Sequence, residues 1–261
     1  MSVLEKIITV KQSEVQALKK QFSRQELEEQ AAAGSVVQSL TASIRNADGM
    51  GIIAEVKKAS PSRGVLREDF DPCAIAHLYA QNNVAGISVL TDKQFFQGDI
   101  QYLRRIAEQK TCPVLRKDFI IDDFQILEAR ANGADAVLLI AEALSKQQIV
   151  TLSKTAYGLG LEVLLELHSE EELKKIDTGL NTLIGVNNRN LSTFVTDIDT
   201  TIRLRDALPP SITVVSESGL GAPGTIERIK DAGCNAILVG EYFMREQDIG
   251  AAVRALKARC A

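Results

Sequence analysis

From Gly51 onward one pattern of apolar and polar positions recurs: a short β-branched apolar run, a polar loop, then apolar residues at helical spacing. The runs are Gly51–Lys57 (GIIAEVK), Gly86–Leu90 (GISVL), Pro113–Lys117 (PVLRK) and Ala134–Ile140 (ADAVLLI), followed by Leu161–Glu166 (LEVLLE), Leu183–Asn187 (LIGVN), Ile212–Glu217 (ITVVSE) and Ala236–Gly240 (AILVG). Each is almost continuously hydrophobic, as a strand covered on both faces by crossover helices should be. The stretches between them carry helix punctuation. Asp71-Pro72 places an N-cap before a proline at the first helical position. Ser145 with Gln148, and Ser169 with Glu172, have capping-box spacing. Asn132-Gly133-Ala134, Ala232-Gly233-Cys234 and Ala85-Gly86 read as helix ends, with glycine suited to a left-handed conformation.

Eight strands alternating with helices obey the right-handed crossover rule most simply as an α/β fold, a single (β/α)8 TIM barrel over residues 49–261. A doubly wound open sheet is the competing architecture. Residues 1–48 stand outside the rhythm. There Leu4, Ile8, Val15, Leu18 and Phe22 fall at roughly helical spacing, which predicts an N-terminal helical extension packed on the barrel. The alternative is a partner-binding segment. Lysines of this extension are within reach of the barrel mouth.

Composition narrows the function classes. At 261 residues with 45% hydrophobic and 25% charged residues, the chain can bury a full core without disulfides or metal. A net charge of −4 offers no footprint for nucleic acid. No window reaches the ~18 apolar residues of a membrane span, and residues 1–21 lack the plan of a signal peptide. Cys73, Cys112, Cys234 and Cys260 form no CxxC pair, and His77 and His168 are too few for a histidine metal cluster. The expectation is a cytoplasmic protein with neither metal, nucleic-acid partner nor membrane partner.

In a barrel of this kind the chemistry sits at the C-terminal ends of the strands. Those ends read Glu55 and Lys57, Leu90, Lys117, Ile140, Glu166, Asn187, Glu217 and Gly240. Glu55 and Lys57 share a face because strand side chains alternate. Lys57 and Lys117 should lean over the centre, compensated by Glu55, Glu166 and Glu217. Such crowding can tune acid–base groups; the bland alternative is a salt-bridge lattice on the barrel rim.

After the seventh run, Gly219, Gly221 and Gly224 match G-x-G-x-x-G, with Pro223 between them and Glu241 further on. The dinucleotide fingerprint belongs to the first turn of a doubly wound sheet, not to the seventh unit of eight. The better reading is a barrel phosphate site in which backbone N–H groups of Ser218–Gly219 and Gly240–Glu241 face an anion. Ser60-Pro61-Ser62-Arg63-Gly64 reads as a mobile lid or substrate clamp. Asn187-Asn188-Arg189-Asn190 offers amides and a guanidinium able to grip a carboxylate. His168 faces the same way as Glu166 and reads as a loop histidine ahead of a base.

Together these motifs resemble the indole-3-glycerol-phosphate synthase family. The matching stretches are IIAEVKKASPSRG (52–64), DPCAIAHLYAQNNVAGISVLTDKQFFQGD (71–99), PVLRKDFIID (113–122), EVLLELH (162–168), IGVNNRNL (184–191), SESG (216–219) and LVGE (238–241). VLEKIITVKQSEV also looks like the family's extra helix before the first strand. The resemblance implies a cofactor-free ring closure of 1-(2-carboxyphenylamino)-1-deoxyribulose 5-phosphate to indole-3-glycerol phosphate, carbon dioxide and water. It implies Lys117 as general acid, Glu166 as general base, and Lys57 on anionic groups and in the dehydration. Glu55, Asn187 and Glu217 would hold the lysines and substrate, Ser60 and Arg189 the carboxylate, and Ser218, Gly219, Gly240 and Glu241 the phosphate. Phe96 and Phe119 would flank the anthranilate ring. The chain is expected to be a monomer or weak oligomer whose partner is a small phosphorylated substrate.

Three rivals remain. A Schiff-base aldolase would use Lys57 or Lys117 as amines. Phosphoribosylanthranilate isomerase would call for a Cys on the first strand and an Asp on the sixth, where Glu55/Lys57 and Asn187 stand. A non-catalytic barrel would bind a phosphosugar without turnover.

Overall fold

The eight runs fold as parallel strands in a computed structural model that describes residues 2–190, 193–222 and 224–261. They are β1 (Gly51–Val56), β2 (Gly86–Leu90), β3 (Val114–Lys117), β4 (Ala136–Ile140), β5 (Glu162–Leu167), β6 (Leu183–Asn187), β7 (Thr213–Glu217) and β8 (Ala236–Val239). Each pairs with the next, and β8 returns to β1 with Leu238 opposite Ile53, so the sheet closes into the expected (β/α)8 barrel. Met1, Leu191 and Pro223, which belong to motifs read above, lie outside the described residues.

Strand alternation sorts the core into two parts. Outward residues such as Ile52, Ala54, Val137, Leu139 and Val214 pack under the surrounding helices. Inward residues fill the lumen, among them Ile53, Leu115, Leu138, Leu164, Val215 and Leu238. One step further along β1, β3, β5, β6 and β7 this apolar floor gives way to the charged or amide ends. The same periodicity therefore builds the core and aims the functional groups.

The N-terminal segment forms α1 (Val3–Gln21), α2 (Arg24–Ala32) and α3 (Leu40–Arg45). Leu40 and Ile44 of α3 are buried against the lumen residues. Ser39 Oγ and the Thr41 backbone N–H donate to the two oxygens of Glu162, at the start of β5, at 2.6 and 2.8 Å. Thus α3 plugs the N-terminal end of the barrel, and α1 lies along the other end. The buried face of α1 is Leu4, Ile7, Lys11, Val15 and Leu18. Ile8 and Phe22, assigned to that face from spacing, are only partly buried, and Ile7 and Lys11 replace them.

Two local readings are corrected. Gly86 does not end a helix: the left-handed residue there is Asn83 (φ 52), and Gly86 opens β2. Its missing side chain makes room for Leu40, whose Cδ1 would lie 2.6 Å from a Cβ. Ser169 makes no capping bond, because the Glu172 carboxylate accepts the His168 backbone N–H at 2.7 Å instead, and only a 3-10 turn, Glu170–Lys175, forms. The loop after β1 is a small antiparallel hairpin of Ala59–Ser60 with Gly64–Val65. Asp71, Ser145, Gly133 and Gly233 behave as predicted.

Among the described residues no helix is long and apolar enough to cross a membrane. The four cysteines are free, and burial pushes the thiols of Cys112 and Cys260 up to about 11 and that of Cys234 to about 12, which makes these three poor nucleophiles.

Candidate active site

A cavity of about 600 Å³ opens at the C-terminal ends of the strands, with Lys57, Lys117, Glu166 and Glu217 in its wall. Lys117 Nζ lies 3.0 Å from Glu166 Oε2 and 3.3 Å from Glu217 Oε2. Across the mouth Lys57 Nζ lies 2.6 Å from Glu55 Oε2. These five groups come from β1, β3, β5 and β7 and form one layer.

Burial would drive the proton off Lys117, but Glu166, Glu217 and Glu55 outweigh it and hold the ammonium well above its usual range. The two carboxylates on Lys117 then split. Burial would raise Glu166, yet Lys117 and His168 together pull it well below the usual carboxylate range. Burial, only partly opposed by Lys117 and reinforced by Glu166 and Glu55, pushes Glu217 up to about 8. Like charges this close do not both ionise easily. At neutral pH the site holds a cationic lysine, an anionic Glu166 and a protonated Glu217. It can give a proton to one atom and take one from another without water.

Two glycines make this packing possible. A Cβ on Gly185 would fall 2.3 Å from Glu217 Oε1, and one on Gly240 would fall 2.4 Å from Glu55 Oε2. Gly240 thus has a packing role beside the phosphate role read from its position.

The remaining predicted residues gather at the same mouth. Ser60 is buried, and among the described residues its Oγ has no hydrogen-bond partner. Arg189 spans the rim, with Nη1 3.4 Å from Ser62 Oγ and Nη2 3.4 Å from Glu241 Oε2. Glu241 also meets Arg63 and Arg245, so its side chain is committed to arginines and only its backbone N–H is left for an anion. Phe96 and Phe119 stand with ring centroids 6.1 Å apart, forming an apolar wall that Leu4 and Ile7 of α1 extend. Asn187 faces the cavity and accepts the Arg189 backbone N–H at 3.0 Å.

Asn188, grouped with Asn187 in the sequence, points away. Its Nδ2 donates to the carbonyls of Glu217 and Ser218 at 2.9 and 3.1 Å, and its Oδ1 accepts from Thr201 Oγ1 at 2.7 Å. That node braces a turn in which Ser218 (φ 67) and Gly219 (φ 76) are both left-handed. A non-glycine residue in this region at a site mouth marks backbone held for a purpose.

Lys11 escaped sequence reading, and His168 was read there as a loop histidine. Lys11 of α1 is buried beneath the mouth between Asp92 and Asp118, 2.8 Å from each. His168 stands 3.2 Å from Glu166. Its facing was the available signal for the second; a lone lysine inside an amphipathic helix provided none for the first.

The family model for indole-3-glycerol phosphate synthase matches residues 4–256. Over 254 residues the chain is 46% identical to indole-3-glycerol phosphate synthase of Burkholderia vietnamiensis (strain G4 / LMG 22486), covering 96% of this chain and 97% of the relative. The enzyme of the same name from Burkholderia ambifaria (strain MC40-6) is 47% identical over 251 residues, covering 95% and 96%. Among solved structures, a 3-hexulose-6-phosphate synthase superposes with a TM-score of 0.63 at 15% identity, covering 81% of this chain and all of that one. Orotidine 5'-phosphate decarboxylase from Pyrococcus horikoshii OT3 gives a TM-score of 0.59 at 14% identity, covering 80% of this chain and 98% of that one. These two share the barrel; the relatives share the sequence along nearly its whole length, and on that ground the chain belongs to the indole-3-glycerol phosphate synthase family.

Proposed function

We propose that this chain closes the indole ring of 1-(2-carboxyphenylamino)-1-deoxyribulose 5-phosphate with Lys117 as acid and Glu166 as base. The observation that carries the assignment is the Lys117 ammonium held between Glu166 and Glu217. Attack by the carboxyl-bearing aromatic carbon on the ketone builds charge on the ketone oxygen, which needs a proton donor. Lys117 supplies that proton, and carbon dioxide then leaves. Glu166 takes the proton lost in the dehydration, while Lys57, steadied by Glu55, protonates the departing hydroxyl. Asn187 and Glu217 hold the lysine and substrate. Ser60 and Arg189 take the substrate carboxylate, and the backbone N–H groups of Ser218, Gly219, Gly240 and Glu241 take its phosphate. The tethered phosphate lends binding energy to orientation at the reacting carbons. Phe96 and Phe119 wall the aromatic ring.

Each step is a proton transfer, a carbon–carbon change or the loss of a protonated hydroxyl as water, within the reach of these side chains, so the scheme calls for no cofactor. We place the chain in the cytoplasm, as a monomer or weak oligomer, with residues 1–48 an extension of the barrel of 49–261. The test is fluorescence detection of indole-3-glycerol phosphate beside Lys117→Ala. The parent should form product and the variant should lose at least ~10²-fold in kcat. No product from the parent would remove the reading. The Schiff-base alternative fares worse, because an ammonium clamped by carboxylates is a poor nucleophile; borohydride trapping of substrate on Lys117 would revive it.

A further inference from the structure

His168 lies two residues past Glu166, and the scheme above leaves it without a task. Its side chain is only 6% exposed, yet among the described residues neither ring nitrogen makes a hydrogen bond. Buried polar atoms are almost always bonded, and an exception calls for a ligand or a strain to explain it. Nδ1 has Glu142 Oε2 at 3.7 Å, and Nε2 has Glu166 Oε1 at 3.2 Å. Both contacts are ion-pair distances without the alignment of a hydrogen bond.

Two carboxylates from neighbouring units stand by this ring. Glu142 is on the 3-10 turn Ala141–Ala143 after β4, and Glu172 on the turn Glu170–Lys175 after β5. One donor atom each from Glu142, His168 and Glu172 lie within 4.8 Å of one another. The two turns are held. Glu172 uses one oxygen to accept the His168 backbone N–H at 2.7 Å, and its second oxygen remains for a ligand. Lys175 Nζ donates to the carbonyls of Ala141 and Leu144 at 2.6 and 3.0 Å, which ties the Glu142 turn to the Glu172 turn. The lysines on this side are thus committed, Lys175 to those carbonyls and Lys117 to Glu166 and Glu217.

We propose that Glu142, His168 and Glu172 form a binding site for a divalent cation of the zinc class, held by His168 Nδ1 and one oxygen of each carboxylate. One histidine cannot make a histidine cluster, but two carboxylates complete a set of three protein ligands. An imidazole nitrogen suits zinc and its neighbours, whereas Ca2+ and Mg2+ take shells of six or more oxygens. Tetrahedral bonds of ~2.0–2.1 Å put ligand atoms about 3.4 Å apart. The 3.7 Å between Nδ1 and Glu142 Oε2 is already close to that spacing. Glu142 is 34% exposed, so its carboxylate has room to close the gap, and the same opening admits the ion and a water as fourth ligand.

The Nε2 side supplies the outer partner. A liganding histidine ordinarily gives its other ring N–H to a carboxylate, which fixes the tautomer and the ring. Glu166 Oε1 stands at 3.2 Å for that part. On binding, the ion takes the Nδ1 lone pair, any proton there leaves to solvent, and Nε2 keeps its own. No electron changes hands. None of the three ligands lines the substrate cavity, so the ion sits behind the base and does not touch substrate.

The experiment titrates the full chain with Zn2+ by calorimetry and with Co2+ by visible absorption, with Mg2+ in excess throughout. The parent should bind one ion, and Co2+ should show the intense visible bands of a four-coordinate site. His168→Gln should weaken Zn2+ binding by at least ~10²-fold, since losing even the outer partner of a ligand costs about 10- to 100-fold. Glu142→Gln, at a partly exposed position where folding is not at stake, should weaken it by at least ~10-fold and dim the Co2+ bands. The control is His77→Gln. Cys73 and His77 lie one turn apart on the helix Pro72–Gln81 and are the other pair of zinc-binding types, so this variant should bind as the parent does. A parent that binds no Zn2+ beside Mg2+ overturns the site. So does parent-like binding by His168→Gln or by Glu142→Gln, or loss of binding in His77→Gln.

Discussion

Lys11 of α1 places its ammonium 2.8 Å from Asp118 Oδ1, on the residue that follows Lys117. The same ammonium holds Asp92 Oδ2, and Asp92 caps the short helix carrying Phe95 and Phe96 through its other oxygen. One buried lysine thereby ties the N-terminal helix to both the acid-bearing strand and the aromatic wall.

Removing Lys11 takes the shared cation from two buried carboxylates and leaves Asp92 its two backbone N–H donors and Asp118 its Arg116 partner at 3.2 Å. Lys11→Met should cost about 3–5 kcal/mol at neutral pH, the range for breaking a buried ion pair from one side. Asp118 sets the pH dependence. Burial would raise it, but Lys11 and Arg116 bring it down to about 2. A depressed carboxylate contributes stability that is present above its unfolded value of ~3.9 and is lost as pH falls through the folded value. Without Lys11 only Arg116 holds Asp118 down, so it takes a proton more readily in acid and the penalty should shrink as pH falls. Urea unfolding of parent and variant at pH 7 and pH 3.5 measures it; equal penalties at both would show that Asp118 is not the group left uncompensated.

Glu217→Gln tests the split between the two carboxylates. With Glu217 pushed up to about 8, the native residue is protonated at pH 6–7 and glutamine imitates that form. The variant should keep kcat within about tenfold at pH 6.5, because only the exchangeable proton is lost. The parent carries a raised carboxyl, whose stability contribution is full below the unfolded value of ~4.3 and falls as pH rises towards about 8. Urea midpoints between pH 5 and pH 9 should thus decline less in Glu217→Gln than in the parent. A parallel decline in both proteins would mean that Glu217 is ionised throughout.

The barrel and its charged layer were readable in the sequence because both follow from period two. Ile53 and Glu55, Leu115 and Lys117, Leu164 and Glu166, Val215 and Glu217 are each two residues apart on one strand. An apolar run ending on a charge at that spacing states which way the charge points. The same rule separates Asn187 from Asn188, although a list of adjacent amides hides it. Lys11 was not readable, since its partners lie 81 and 107 residues further along and a helix sequence carries no mark of so distant a contact. Ser169 and Glu172 have the spacing of a capping box, but spacing does not decide between two donors. The His168 backbone N–H won the carboxylate, and the helix was lost with it.

Gly240→Ala probes how the acid-side pair is packed. The added methyl would fall 2.4 Å from Glu55 Oε2 and 3.0 Å from Glu55 Cβ, so the carboxylate must move off Lys57. Gly240 has a negative φ (−127), so no left-handed strain adds to the clash with Glu55. Overpacking of this size costs about 1–3 kcal/mol. A larger fall is expected in kcat than in stability, because Lys57 loses its orienting partner. Lys57 would remain unaffected, and its assigned role would weaken, if steady-state kinetics showed an unchanged kcat beside a lowered Tm.

Ser218 tests the phosphate end proposed above. It holds φ 67, pinned by the Asn188 amide on its carbonyl, and a left-handed L-residue costs about 1–2 kcal/mol. Ser218→Gly removes that strain at the expense of a more flexible unfolded chain, so its urea midpoint should match or slightly exceed the parent's. Its KM should stay within about threefold, since backbone N–H groups and not the hydroxyl are assigned to the anion. Ser218→Asp instead sets a carboxylate beside the phosphate. Two like charges ~4 Å apart at an effective dielectric near 20 repel by about 4 kcal/mol, which predicts a KM raised by at least ~10²-fold. Because the phosphate's binding energy also orients the reacting carbons, kcat should fall along with the rise in KM. A Ser218→Asp variant with the parent's KM would place the phosphate elsewhere on the rim and leave the strained turn to serve only the Asn188 node.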